Sequence, residues 1–165
     1  HTVAGLTGVI TLVLGGSYKW ALHGKIAIVE NLENFLCFEQ MGLDIDAALY
    51  AAGRLSMLAL DWLASPQMSV CVFLHCGDYD PVGLDEYLRE KQVLGERVTL
   101  YLPPQLERLT RKYGRPELLA DSVSVLERLR GSDDESIKKV IDIFNVTGCG
   151  LEQEVLLIPG ILDNE

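Results

Sequence analysis

Residues 70–76 restrict the fold of this chain more than any other segment, because every position in the run except His75 is apolar. A strand with one face in solvent alternates apolar and polar residues. A run without that alternation is typical of a strand buried on both faces of a parallel sheet. We therefore expect residues 70–76 to be an inner strand of such a sheet.

The rest of the chain alternates short β-rich runs with helical segments. The predicted strands are residues 25–29, 47–52, 70–76 and 97–102, and the predicted helices between them are residues 32–41, 55–64 and 81–91. Four further helices are predicted at residues 104–113, 116–120, 122–129 and 133–144, the last with Ser132 or Asp133 as its N-cap. This order predicts an α/β fold with a central, mostly parallel four-stranded sheet flanked by helices. We expect one domain over residues 1–165, with a core at about 25–102 and a helical C-terminal extension at about 103–165.

Helical spacing also predicts which side chains face the sheet. In the first helix the expected inward residues are Leu32, Phe35, Leu36 and Phe38. In the helix after residue 80 they are Leu84, Tyr87 and Leu88.

Composition narrows the classes of function. The chain has 165 residues, of which 48% are hydrophobic and 23% charged, the balance of a globular domain. Its formal net charge is -10, and an acidic surface does not attract nucleic acid unaided. The chain begins at His1 rather than Met. We therefore expect a larger parent protein whose other parts would grip any DNA.

The cysteines and the apolar N-terminal stretch bear on the compartment. The 4 cysteines lie far apart in apolar segments without zinc-binding spacing, and buried reduced thiols are typical of a cytoplasmic protein. The apolar stretch at residues 3–14 is shorter than the ~20 residues of a membrane-spanning helix and has no basic leader. We expect a cytoplasmic protein without a membrane partner.

Acidic residues follow two of the predicted strands. Glu30 ends the first strand, and Asp78 and Asp80 lie in the turn directly after residues 70–76. In an open parallel sheet, ligands bind beyond the carboxyl ends of the strands. If the two strands are neighbours, the three carboxylates converge and repel one another unless a cation neutralises them. Because Mg²⁺ prefers oxygen ligands and keeps positions open for phosphate, the sequence predicts a site for Mg²⁺ or Mn²⁺ at Glu30, Asp78 and Asp80.

Each of these acids also has a purely structural interpretation. Asp80 before Pro81 is a favourable N-cap with proline at the first helical position. Asp78 follows Gly77 and could be a turn residue, and Glu30 could be an acid at a helix start, where the dipole favours it. Their combination favours the metal interpretation.

At these residues the sequence resembles the Toprim domain of topoisomerases, primases and related nucleases. The matching features are Val29-Glu30 at the end of the first strand and Asp78-Tyr79-Asp80 after the third. The stretch from Gly77 to Gly83 is similar to topoisomerase VI A subunits. Residues 28–36 and 151–154 are similar to the C-terminal Toprim-like domain of the nuclease subunit of Wadjet-type anti-plasmid systems.

The resemblance implies a domain that binds Mg²⁺ or Mn²⁺ and cleaves a DNA phosphodiester, as a nuclease or a topoisomerase-like enzyme. Asp78 and Asp80 would hold metal, and Glu30 would hold a second metal or act as general acid/base. Glu154 either joins this site or, like Glu152, is a surface acid. The implied partners are DNA, gripped mainly by other domains or subunits, and a second copy of the chain or other subunits of a defence complex.

The likeness to topoisomerases has one departure. Those enzymes carry a nucleophilic tyrosine on a separate domain, and none of the 6 tyrosines here is distinguished as a nucleophile. We expect Tyr79, between the two aspartates, to pack in the core. The similarity to the Wadjet subunits favours hydrolysis by water.

Alternatives remain for the whole domain and for two other features. A catalytically inactive Toprim-fold module could dock a partner subunit through its acidic face. Phosphatases of the haloacid-dehalogenase type also have Asp-x-Asp after a strand, but the continuation Pro81-Val82-Gly83 differs from theirs.

We expect His75 to be a core histidine rather than a base. The face formed by Arg108, Arg111 and Arg115 is either solvated or contacts phosphate.

Overall fold

The computed structural model describes residues 11–14 and 20–162 and contains one four-stranded parallel sheet in the order β2-β1-β3-β4. The strands are β1 (Lys25–Val29), β2 (Ala47–Tyr50), β3 (Val72–Cys76) and β4 (Val98–Leu100). All three strand pairings are parallel. The predicted α/β class, with a parallel four-stranded sheet flanked by helices and further helices toward the C-terminus, is confirmed.

Helices connect the strands and then form the C-terminal part of the chain. They are α1 (Leu32–Leu36), α2 (Met57–Ala64), α3 (Pro81–Leu94), α4 (Leu106–Tyr113), α5 (Glu117–Ala120), α6 (Val123–Arg130) and α7 (Glu135–Thr147). Short 3₁₀ helices cover Phe38–Met41, Pro66–Met68, Gly95–Arg97 and Gln153–Leu157. Within the described ranges, no helix is long and apolar enough to cross a bilayer. Most of the apolar stretch at residues 3–14 lies outside those ranges.

The register of the two inner strands positions the acids. β1 lies between β2 and β3, and Val29 at the end of β1 is opposite Cys76 at the end of β3. Both strands have buried residues on both faces, as the mostly apolar sequence of residues 70–76 predicts for β3. The residues that leave these two strands, Glu30 and Gly77, are therefore neighbours at one edge of the sheet.

The C-terminal helices share the hydrophobic core of the sheet. One cluster of buried side chains contains Ile28 of β1 and Leu84 of α3 together with Leu109 of α4 and Phe144 of α7. The helices after residue 103 therefore pack on the same core as the strands, because their apolar faces are covered by it.

Two local predictions are wrong. The first helix ends at Leu36 and presents Asn34 to the interior, whereas Leu32 and Leu36 are exposed. The amide of Asn34 is buried because its Nδ2 donates to the carbonyl of Gln153 at 3.1 Å. The N-cap of α7 is Asp134 rather than Ser132 or Asp133, since the Asp134 carboxylate accepts from the backbone N–H groups of the first turn.

The cysteines are free thiols, and two of them match the predicted environment. Cys71 and Cys76 are buried, while Cys37 and Cys149 are partly exposed. Burial raises the pKa of the Cys76 thiol far above its usual range. Cys76 is therefore a neutral core residue.

Candidate metal centre

The ends of β1 and β3 bring Glu30 and Asp78 into direct contact. The Asp78 backbone N–H donates to Glu30 Oε2 at 3.3 Å. The Glu30 backbone is fixed on both sides, since its N–H donates to the Cys76 carbonyl at 3.0 Å and its carbonyl accepts from Gly53 N–H at 3.2 Å. The metal-site hypothesis required these two strand ends to be neighbours, and in the structure they are.

Asp80 begins α3 as its N-cap. Its Oδ1 accepts from the Gly83 backbone N–H at 2.8 Å, and Pro81 occupies the first helical position. This confirms the capping interpretation of Asp80. A capping bond does not test whether the same carboxylate also binds metal, so that role stays a prediction.

The C-terminal part of the chain returns to this edge and adds a fourth acid. The backbones of Tyr79 and Leu151 exchange two hydrogen bonds of 2.9 Å, and Gln153 N–H donates to Asp78 Oδ1 at 2.7 Å. Glu154, in the next position, accepts a hydrogen bond from Asn31 Nδ2. The sequence left the position of Glu154 open, and the structure places it beside Asn31 and Asp78.

Glu152 and Glu154 have different surroundings. Glu152 is paired with Arg115 at 2.7 Å on the surface. Glu154 Oε2, by contrast, is buried and has no hydrogen-bond partner among the described residues. Glu152 therefore already has a cationic partner, although its charge contributes to the raised pKa of Asp80, whereas Glu154 has a free carboxylate oxygen near Asp78.

Among the described residues, no Lys or Arg balances the charges of this edge. In the described part of the chain, no Lys or Arg forms an ion pair with Glu30, Asp78, Asp80 or Glu154. Burial, reinforced by the charges of Glu30, Asp80 and Glu154, raises the pKa of Asp78 to about 7, although the bond from Gln153 opposes the shift. Burial also raises the pKa of Glu30 and of Asp80. An added cation would relieve this repulsion.

The donor chemistry of the cluster fits Mg²⁺ or Mn²⁺. Its groups are carboxylate oxygens, the ligands that hard divalent ions prefer, and Glu154 Oε2 still lacks a partner. Among the described residues, no three His, Cys, Asp or Glu side chains are already arranged around one point. Mg²⁺ does not need such a ring, because it commonly uses one or two carboxylates and completes its shell with water and phosphate.

Two other residues singled out from the sequence have structural roles here. Tyr79 is buried, and its hydroxyl donates to the Tyr101 carbonyl at 3.0 Å, as the packing interpretation predicted. Burial raises the pKa of this phenol well above its ordinary value. Tyr79 is therefore a poor nucleophile. His75 is 2% exposed, which confirms it as a core residue.

The three arginines lie in solvent but do not form one helix face, because α4 ends at Tyr113 and Arg115 lies beyond it, in a β-bridge with Gly150. Arg108, Arg111 and Arg115 are exposed, Arg111 pairs with Glu107 at 2.8 Å, and Arg115 pairs with Glu152. With two of the three arginines already paired, this group is a weak candidate for contacting phosphate.

Comparison with known protein families, with curated proteins and with solved structures finds no match to this chain. The resemblance to the Toprim domain thus depends on the residues quoted above.

Proposed function

We propose that this domain is a Toprim-type, metal-dependent enzyme that cleaves a DNA phosphodiester. The proposal depends on one observation: Glu30 and Asp78 meet at the carboxyl ends of two adjacent parallel strands, with Asp80 and Glu154 close enough to affect the pKa of Asp78. Acids gathered at this edge, with no Lys or Arg paired to them in the described chain, suit a site for Mg²⁺ and phosphate.

The four acids have distinct roles in the proposal. Asp78 and Asp80 hold Mg²⁺ or Mn²⁺, and Glu30 holds a second ion or acts as general acid/base. Glu154 supplies a further carboxylate oxygen. The bound metal would neutralise charge on the attacked phosphate and lower the pKa of the attacking water. Hydrogen bonds from Asp78 N–H and Gln153 N–H orient the carboxylates of Glu30 and Asp78, respectively.

Arg54 is our candidate for contact with a DNA phosphate. It directly follows Gly53, whose N–H is bonded to the Glu30 carbonyl, and its side chain is 65% exposed. Its Nε is 2.9 Å from Glu86, a carboxylate that Arg89 already binds through both oxygens. Arg54 is therefore not needed to neutralise Glu86, and its terminal nitrogens, which bond to nothing in the described chain, can bind phosphate.

We propose that other domains or subunits grip most of the DNA, because the net charge of this chain is -10. We propose that the parent protein is cytoplasmic and acts by water-dependent hydrolysis, as in plasmid defence. The buried phenol of Tyr79, bonded to the Tyr101 carbonyl, supports water rather than this tyrosine as the nucleophile.

A second candidate function is an inactive interaction module. Exposed apolar side chains flank the acidic edge, with Leu32 47% and Leu36 63% exposed on α1 and Tyr50 41% exposed at the end of β2. Such side chains favour contact with a partner protein. In that case Lys or Arg residues of the partner, rather than a metal, would neutralise the acids.

Calorimetric titration of Mn²⁺ into wild type, Asp78→Asn and Asp142→Asn tests the proposal. Asp142 is an exposed aspartate of α7 and is a matched control for the loss of one negative charge. We expect wild type and Asp142→Asn to bind Mn²⁺ equally, and Asp78→Asn to bind it at least about tenfold more weakly. Equal binding by all three proteins would remove the metal site.

Plasmid nicking by the protein that carries this domain tests the chemistry. We expect activity to depend on added Mg²⁺ or Mn²⁺ and to be lost in Asp78→Asn but not in Asp142→Asn. Cleavage that persists in Asp78→Asn would place the reaction elsewhere and leave the interaction module as the better assignment.

A further inference from the structure

A buried histidine lies directly beneath the candidate metal centre. His75 is 2% exposed and Glu90 of α3 is fully buried, and His75 Nδ1 lies 2.9 Å from Glu90 Oε2. The other ring nitrogen, Nε2, is buried without a hydrogen-bond partner in the described chain. A buried polar nitrogen without a partner is costly, so it calls for an explanation.

Gly77 shows where this nitrogen points. A Cβ placed on Gly77 would lie 2.6 Å from His75 Nε2 and 2.6 Å from Glu30 Oε2. Both atoms therefore border the same small space, at most twice that distance apart. No side chain larger than that of glycine fits between them.

We propose that His75 is a positioning residue for Glu30, with its Nε2–H directed at the Glu30 carboxylate across the space left by Gly77. Glu90 fixes the ring from the other side by accepting from Nδ1–H. A carboxylate–histidine pair that orients a metal-site residue from the second layer is a recurrent arrangement.

The charges around His75 are consistent with this role. Burial alone lowers the pKa of His75, but Glu90, Glu30 and Glu86 outweigh burial and raise the pKa overall. A carboxylate lies on either side of the ring, with Glu90 at Nδ1 and Glu30 across the space at Gly77 from Nε2. The consequence for metal binding rests on the function proposed above, whereas the contact between His75 and Glu30 does not.

Nitrogen-15 NMR of the His75 imidazole tests the contact without any metal. We expect a protonated Nε2 in the wild type and a changed Nε2 resonance in Glu30→Ala, with Asp142→Asn unchanged. A histidine that only fills the core predicts an Nε2 resonance that is the same in wild type and Glu30→Ala. That result would overturn the proposal.

Mn²⁺ titration then tests the consequence of the His75–Glu30 contact for metal binding. His75→Gln keeps an N–H donor, whereas the double variant His75→Leu with Glu90→Gln removes the donor and neutralises the buried carboxylate. We expect His75→Gln to bind Mn²⁺ within a few-fold of wild type, and the double variant to bind at least about tenfold more weakly. Circular dichroism will show whether each protein is folded.

The outcomes separate the two proposals. Wild-type affinity in the folded double variant, or an equal loss in both variants, would overturn the positioning role. If the wild type binds no Mn²⁺, the proposed function fails, and the NMR comparison still decides whether His75 contacts Glu30. If the double variant does not fold, the NMR comparison again decides, because it uses wild type and Glu30→Ala.

Discussion

Asp78 should make the metal-free protein less stable as the pH rises, and replacing it by Asn should remove that loss. The pKa of Asp78 is raised from its ordinary value of 3.8 to about 7 in the folded protein, first by burial and then by neighbouring acids. Between these two values the folded state keeps the proton and the unfolded state has lost it. The free energy of unfolding therefore falls as the pH rises through this window, and the whole of the loss is present above about pH 7.

The magnitude follows from the size of the shift. Each pKa unit corresponds to about 1.4 kcal/mol, so the full shift would cost about 4 kcal/mol at high pH. Because the Asp78 carboxylate is partly exposed, solvent screens part of this cost, and we expect about 2 kcal/mol. In Asp78→Asn the new amide oxygen can still accept the bond from Gln153 N–H that Asp78 Oδ1 accepts in the wild type. The substitution therefore removes the charge without removing this contact.

Thermal unfolding followed by circular dichroism, in EDTA at several pH values, measures the effect. For a chain of this length, about 2 kcal/mol corresponds to a Tm difference of about 4–8 °C. We expect Asp78→Asn to unfold at a higher temperature than wild type at about pH 8, and the difference to disappear near pH 4.

Asp134→Asn is the control with the opposite sign. Asp134 caps α7 and lies 2.6 Å from Lys91, and its pKa is lowered, since burial is outweighed by these favourable bonds. Losing this charge should destabilise the protein at about pH 8. If Asp78→Asn were no more stable than wild type at this pH, the acids would not be repelling one another and the reasoning would be refuted.

The same contacts lead to three further predictions. Added Mg²⁺ at about one hundred times its Kd should stabilise wild type by about 2.7 kcal/mol and Asp78→Asn much less, as thermal shift would show; equal gains would contradict metal binding at Asp78. Gly83→Ala should lower the free energy of unfolding by about 2 kcal/mol or more in urea titrations, because its Cβ would lie 2.3 Å from the Asp78 carbonyl oxygen; a neutral result would show that the turn can move. Glu152→Gln breaks only an exposed pair with Arg115 and should change the free energy of unfolding by less than about 1 kcal/mol. A larger loss in the same titration would mean that the pair orders the segment before Glu154.

The sequence was sufficient to predict the strands and to place Glu30 and Asp78 after the ends of two of them, because strands and the residues that follow them are local signals. The apolar runs of β1 and β3 indicate buried parallel strands, and the residue after each strand necessarily lies at the sheet edge. What the runs could not show is that the two strands are adjacent. That depends on packing and is now seen in the pairing of Val29 with Cys76.

Glu154 could not be placed from the sequence, because its position depends on the path of the C-terminal helices. It meets Asn31 across a separation of 123 residues, and no local pattern encodes that contact. The prediction of which face of α1 is buried was wrong for a related reason. With five residues, α1 is too short for apolar spacing to fix its orientation, and the bond from Asn34 to the Gln153 carbonyl decides which side is buried.

The energetics of the acidic edge bear on the choice between the two candidate functions. Half-buried acids that no Lys or Arg of the described chain pairs with lower the stability of the free protein, and such a cost is typical of a binding site rather than of a scaffold. A partner's Lys or Arg could relieve the repulsion as well as a metal could. The two differ in size, since a metal ion needs less room beside Glu30 and Asp78 than a Lys or Arg side chain, and the Asp78 backbone N–H already contacts the Glu30 carboxylate. Asp78 is half-buried and has Glu30 on one side and Gln153 on the other, and this limited exposure favours the smaller metal ion over a guanidinium.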